Sequence, residues 1–189
     1  MAVLPIIEWP NKVLETKSKD VTVFDEKLKQ FVKDMHETMD HANGIGLAAN
    51  QVDVAKRVLV IYIPWSDNKY KDQEEGKKEA WHDKRFTFIN PRIVKKEGKI
   101  SWQEGCLSFP EVYEFVDRAA EVWVEAVDEN GKAFSVHATG LFAVCLQHEI
   151  DHIDGKVFVD RMSRLKAGFV RKKMLKRSQL KRAEVAMSE

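Results

Sequence analysis

Apolar residues recur at helical spacing over 25–42, where Leu28, Phe31, Val32, Met35 and Met39 fall on one face. Asp25 stands where an N-cap belongs, and Asn43-Gly44 stands where the helix should stop. The period then changes. Residues 57–63 are β-rich and almost wholly apolar, which predicts a buried strand. Strand signals resume at 86–89 and 93–94 and continue toward 100–102. Residues 120–127 and 133–137 flank Asp128-Glu129-Asn130-Gly131, a hairpin signature. A run of apolar residues from Thr139 to Gln147 opens a helix expected over 141–154, and a last helical pattern occupies 164–186. Strands before and around one central helix predict an α+β fold. Its antiparallel or mixed β-sheets would surround that helix, with a C-terminal helix closing a single domain over 1–189. Residues 64–85 turn polar and read as a surface insertion whose charges are solvated.

The central helix carries the chemistry. Within it lies His148-Glu149-x-x-His152. Residues four apart on a helix share a face, so both imidazoles can reach one metal ion, and Glu149 points toward the ion's open side. The surrounding apolar run buries this helix, and buried histidine and glutamate need partners, which a metal supplies. A catalytic ion of this kind takes a third protein ligand. No histidine follows His152, and the only later glutamates are Glu184 and Glu189. Asp154 and Asp160 are close in sequence and awkwardly placed, so the usual H-E-x-x-H peptidase arrangement is poorly supplied. Upstream, Cys106 in Glu104-Gly105-Cys106-Leu107-Ser108 offers a thiolate in a loop whose glycine permits close approach to a helix. Taken alone it reads as an inert buried thiol. With the helix motif, Cys106, His148 and His152 make three ligands and leave one position open, as in a catalytic centre. A metallopeptidase and a non-catalytic, metal-stabilised, ribosome-associated module stay as alternatives. His36 and His41 read as surface residues, and His137 as a strand residue with no metal role.

Composition narrows the setting. A length of 189 residues, 44% of them hydrophobic, suits one domain with a sizeable core, and a net charge of +1 gives no general case for binding DNA. The start lacks the basic flank and cleavage site of a signal peptide. No apolar run approaches the roughly 20 residues needed to span a bilayer. Two cysteines, Cys106 and Cys145, do not make a disulfide framework. A cytoplasmic protein with no membrane association is the expectation.

Three stretches, Gly44-Ile45-Gly46-Leu47-Ala48-Ala49-Asn50-Gln51, Glu104-Gly105-Cys106-Leu107-Ser108 and Gln147-His148-Glu149-Ile150-Asp151-His152, resemble the signature motifs of peptide deformylases, in the same order. Departures are Asn50 where many members have Thr, Phe109 after the second motif, Ile153 where Leu is usual, and the 64–85 segment. The resemblance implies a metal-dependent hydrolase that removes the N-formyl group from the N-terminal methionine of nascent polypeptides, releasing formate. It implies Fe²⁺ as the native ion, with Zn²⁺, Ni²⁺ or Co²⁺ able to substitute. Glu149 would take a proton from water and return it to the departing amine. The Gln51 side-chain amide and the Leu107 backbone N–H would stabilise the formyl oxygen, and the Gly46 carbonyl would accept from the formamide N–H. Leu141, Val144 and Cys145 share the face of His148 and, with Ile45, would wall a slot for the methionine side chain. Over 161–182 there are ten Lys or Arg and no acidic residue. Such a run is ordinarily a solvated helix face, but the resemblance suggests contact with the ribosome.

Overall fold

The computed structural model describes residues 2–64 and 81–188. Helix α1 spans Glu26–His41, and Asp25 caps it by accepting from the Leu28 backbone N–H at 2.9 Å. Leu28, Val32, Met35 and Met39 are buried and Phe31 is half-buried, so the helical stripe faces the core as its spacing predicts. Seven strands follow: β1 (Gly46–Ala48), β2 (Val58–Tyr62), β3 (Arg85–Glu97), β4 (Ile100–Cys106), β5 (Phe109–Arg118), β6 (Glu121–Val127) and β7 (Ala133–Thr139). An antiparallel five-stranded sheet runs in the order β1-β2-β3-β6-β7, and β4-β5 form a separate two-stranded sheet. The chain is α+β, as expected, and its sheets are antiparallel.

Gly140, in the left-handed region at φ 54°, lets β7 turn directly into α2 (Gly140–Ile153). Every residue from Leu141 to Ile153 is buried. A helix covered on all sides is the central element of its fold. Its apolar side chains, with those of the five-stranded sheet, form one core in which Phe142 stacks on Trp81 and meets Phe86 and Phe88. A second core lies under α3 (Arg164–Ser188), whose Ala167, Val170 and Met174 pack with Trp9, Phe109, Val116 and Phe158. Among the described residues no helix is long and apolar enough to cross a membrane.

Several expectations change. The signals at 86–89 and 93–94 are one strand, bulged around Asn90, whose φ is 52° and whose side chain bonds both the N–H and the carbonyl of Val21 at 2.8 Å. Strand β4 runs on to Cys106, beyond the expected Trp102. Strands β1 and β5 lack a sequence signal: β1 lies inside the glycine-rich motif, and β5 places Tyr113 and Phe115 on its exposed face, which blurs its alternation. Of the 64–85 segment, 65–80 lie outside the described residues. Its far end is not a polar surface, because Trp81 and His82 are buried.

His137 is a strand residue, stacked on Trp123 and 2.7 Å from Glu121. His36, expected at the surface, is half-buried, with Nε2 3.1 Å from the Thr87 hydroxyl and Nδ1 buried without a partner. Burial, helped by the nearby Arg85 charge, pushes its pKa down to about 4. The unfolded chain therefore binds a proton at His36 that the folded chain refuses between about pH 6.5 and 4. Stability is full above that window and falls as pH drops through it. His36→Gln should flatten this pH dependence by about 1–2 kcal/mol, discounted for partial exposure. Urea unfolding of metal-free protein at pH 7 and pH 4.5 checks it.

Candidate metal centre

Helix α2 brings His148 and His152 to one face, their ring centroids 4.9 Å apart. Strand β4 ends at Cys106, where the register with β5 shifts, and delivers its sulfur to the same point. The three ligand atoms all lie within 4.8 Å of one another, and Cys106 Sγ is 3.2 Å from His152 Nε2. Ligand atoms around a tetrahedral ion at zinc-like bond lengths are themselves about 3.5 Å apart, so this cluster is already close to that spacing. A thiolate with two imidazoles suits Zn²⁺ or Fe²⁺. Both cysteines are free thiols, so no disulfide competes. The donor set fits a metal.

The later acids are engaged elsewhere. Asp154 pairs with Arg57 at 2.6 Å, and Asp160 accepts from the Val157 N–H and pairs with Arg171. Glu184 is exposed on α3, and Glu189 lies outside the described residues. Among the described residues nothing downstream of His152 joins the cluster, so none of them supplies the ligand a peptidase of this motif would need.

Behind the cluster lies a network that the sequence reading left out. Glu104, two residues before Cys106, receives Arg118 Nε at 2.7 Å and Nη2 at 2.9 Å, and its Oε2 lies 2.7 Å from His148 Nδ1. That bond orients the ring and leaves Nε2 for the metal. Arg118 also bonds Asp151, and Asp151 in turn pairs with Arg161 at 2.5 Å. Burial favours a neutral Glu104, but Arg118 and His148 override it and hold the carboxyl below its usual range. A signal did exist: an acidic residue inside a fully buried helix, Asp151, demands a buried cation.

Glu149 is buried, and its Oε2 has no partner. Burial pushes its carboxyl up to about 7. The backbone of Gly46 passes directly over it: a Cβ there would lie 2.5 Å from Glu149 Oε1 and 2.8 Å from Cys145 Sγ. Gln51 sits in a 3-10 turn, Ala49–Val52, with its Oε1 accepting from Ala48 N at 2.9 Å. Its Nε2 therefore faces Ser108 Oγ at 3.2 Å and Cys106 Sγ at 3.6 Å. Ser108 was another omission from the sequence reading. An adjoining cavity of about 520 Å³ is lined by Cys106, His148, Glu149, Gln51, Gly46 and Leu107. Ile45, Leu141, Val144 and Cys145 wall it too, so every residue expected around the site converges on it except His152, which stands behind it in the cluster with Cys106 and His148. Cys145 Sγ points at the Ile45 carbonyl, 3.7 Å away.

Arg118→Met should destabilise the fold by about 3–5 kcal/mol in urea unfolding, because buried Glu104 loses its guanidinium and Asp151 keeps only Arg161. Glu104→Gln should weaken metal affinity by about 10–100-fold in a chelator competition, because His148 loses its orienting carboxylate.

Residues 3–168 match the family model of polypeptide deformylase. The peptide deformylase of Chromobacterium violaceum is 46% identical over 177 residues, covering 94% of this chain and 97% of the relative, and that of Neisseria gonorrhoeae is 45% identical at the same coverage. Among solved structures, the Legionella pneumophila peptide deformylase superposes with a TM-score of 0.80 at 40% identity, covering 95% of this chain and 98% of the other. The Ehrlichia chaffeensis peptide deformylase in complex with actinonin gives 0.83 at 38% identity, with 94% and 98% covered. A cysteine and two helix histidines gathered beside a buried glutamate thus stand in a chain that belongs to the polypeptide deformylase family.

Proposed function

We propose that the chain is a cytoplasmic hydrolase that removes the formyl group from the N-terminal methionine of newly made polypeptides. The observation that carries this reading is the cluster of Cys106, His148 and His152 beside a cavity that Cys106 and His148 line together with Glu149 and Gln51. These three residues would hold the ion, Fe²⁺ natively, with Zn²⁺, Ni²⁺ or Co²⁺ as substitutes. A divalent ion there would lower the pKa of water into the neutral range and polarise a carbonyl.

Glu149 takes the proton that water gives up as its oxygen bonds to the formyl carbon. As the C–N bond breaks, Glu149 returns that proton to the departing amine, leaving formate and a free amino terminus. Negative charge builds on the formyl oxygen in the transition state. The Gln51 amide is aimed for it, because Ala48 N–H holds Oε1 and so turns Nε2 toward Cys106. The Leu107 N–H is the second donor, and the Gly46 carbonyl accepts from the formamide N–H. Leu141, Val144, Cys145 and Ile45 take the methionine side chain.

Contact with the ribosome through α3 is a second element of this reading, supported by the basic residues that the helix leaves unpaired among the described residues. Of the ten basic residues over 161–182, Arg161, Lys166, Arg171, Arg177 and Lys181 pair with carboxylates of this chain, and Lys173 donates to the Glu111 carbonyl. Arg164, Lys172, Lys176 and Arg182 have no ion pair among the described residues and are exposed. Contact would rest on these four.

Formate release from a formyl-Met peptide by metal-loaded protein tests the function. Glu149→Ala should lose at least about 10²-fold in kcat. Gln51→Ala should lose about 10²–10³-fold. Unchanged activity in Glu149→Ala overturns its role, and no release by the wild type overturns the function. Lys172→Glu with Lys176→Glu should reduce co-sedimentation with ribosomes at low salt, with a shallower salt dependence. Unchanged co-sedimentation refutes that contact.

A further inference from the structure

Asn50 is fully buried, stands beside Gln51 in the 3-10 turn Ala49–Val52, and has no part in the chemistry above. Its side-chain nitrogen donates to the backbone carbonyl of His152, in the last turn of α2. The Gly155 N–H donates to the same carbonyl at 2.9 Å. A carbonyl oxygen can only accept, so this bond fixes the orientation of the amide and turns Oδ1 away from it. Oδ1 is buried too, and among the described residues it has no hydrogen-bond partner.

The histidine that Asn50 grips has the complementary gap. His148 Nδ1 lies 2.7 Å from Glu104 Oε2, but His152 Nδ1 is buried and has no partner among the described residues. His152 Nε2 faces the cluster, 3.2 Å from Cys106 Sγ. A ring that holds an ion there as neutral imidazole carries its hydrogen on Nδ1. A buried N–H without an acceptor is destabilising, and ligating histidines ordinarily hand that hydrogen to a carboxylate, a carbonyl or a water. One unmet donor and one unmet acceptor thus belong to two residues already bonded to each other. A single buried water, accepting from the ring and donating to the amide, satisfies both.

We propose that Asn50 is a positioning residue for the metal ligand His152. Its Nδ2 holds the main chain at the end of α2. Its Oδ1, through one buried water, takes the Nδ1 hydrogen of the ring and so sets the ring's tilt and tautomer. The amide does this from two atoms set apart, whereas the threonine of many deformylases has a single oxygen for both tasks. This role rests on the metal centre of the deformylase reading and concerns how the ion is held, not the hydrolysis.

The test uses the full chain loaded with Zn²⁺ and labelled with ¹⁵N in its histidines. In wild type, NMR should show the ring Nδ1–H protons of both His148 and His152 protected from exchange with water. Asn50→Leu keeps the volume and removes both polar atoms. It should lose the His152 signal, keep that of His148, and weaken Zn²⁺ binding about tenfold in a chelator competition. Asn50→Asp keeps the shape and the acceptor, so it should keep the signal and hold Zn²⁺ to within about threefold of wild type. A His152 proton that exchanges freely in wild type overturns the proposal without any variant. An Asn50→Leu variant that retains either the signal or the affinity overturns it as well. So does an Asn50→Asp variant as weak as Asn50→Leu, because that is the mark of a merely structural side chain. Wild type that binds no Zn²⁺ fails the metal centre itself and takes the inference with it.

Discussion

The Arg118 guanidinium, 2% exposed, holds Glu104 of β4 with two parallel hydrogen bonds and Asp151 of α2 with a third. Among the described residues the two-stranded sheet that carries Cys106 does not pair with the five-stranded sheet, so strand hydrogen bonding between them does not set its distance from the helix that carries the histidines. Arg118 ties the two together. Burying a guanidinium costs several kcal/mol unless its donors are satisfied and its charge is balanced. Here two carboxylates receive it, and Arg161 with the His148 ring takes up their remaining capacity. Any displacement of β4 against α2 would break a buried, charge-assisted contact. The cost of that break is what fixes the Cys106 sulfur beside the imidazoles.

Other short links fix what surrounds them. The Ile7 N–H donates to the Gln51 carbonyl at 2.8 Å and the Trp9 N–H to the Ser108 carbonyl at 3.0 Å, so the N-terminal segment fastens the Gln51 turn to the loop after Cys106. Between them, Glu8 faces the other way and pairs with Arg177 and Lys181 of α3. Much of the positive charge on α3 is therefore spent on docking that helix against its own protein. Gly46 closes the arrangement, since the backbone reaches Glu149 only because no side chain intervenes.

Elements with a period were legible. The stripe of α1, the all-round burial of α2 and the hairpin between β6 and β7 follow from spacing and turn residues alone. Strand β5 was not legible, because half of its outward positions hold aromatics that read as core. Trp81 and His82 were hidden at the end of a polar stretch, since neighbours in sequence say little about which ring a tertiary core will claim. At the site, Cys106, His148, Glu149 and His152 could be named from residue chemistry. Arg118 could not, because an arginine in a strand ordinarily faces water, and only Asp151 hinted otherwise.

By itself the sequence determined the fold class and named the candidate ligands and the candidate proton carrier, because metal preference, helical spacing and apolar period are local properties of residue type and position. The tertiary structure decided what depends on two distant segments meeting. It set which end of the Gln51 amide faces the cavity and which lysines α3 leaves unpaired. Each is settled by contacts between residues far apart in the chain, such as Arg118 with Asp151, Glu8 with Lys181, and Ser108 with Gln51. No pattern along one segment records such contacts, because they exist only once burial has brought both partners out of water.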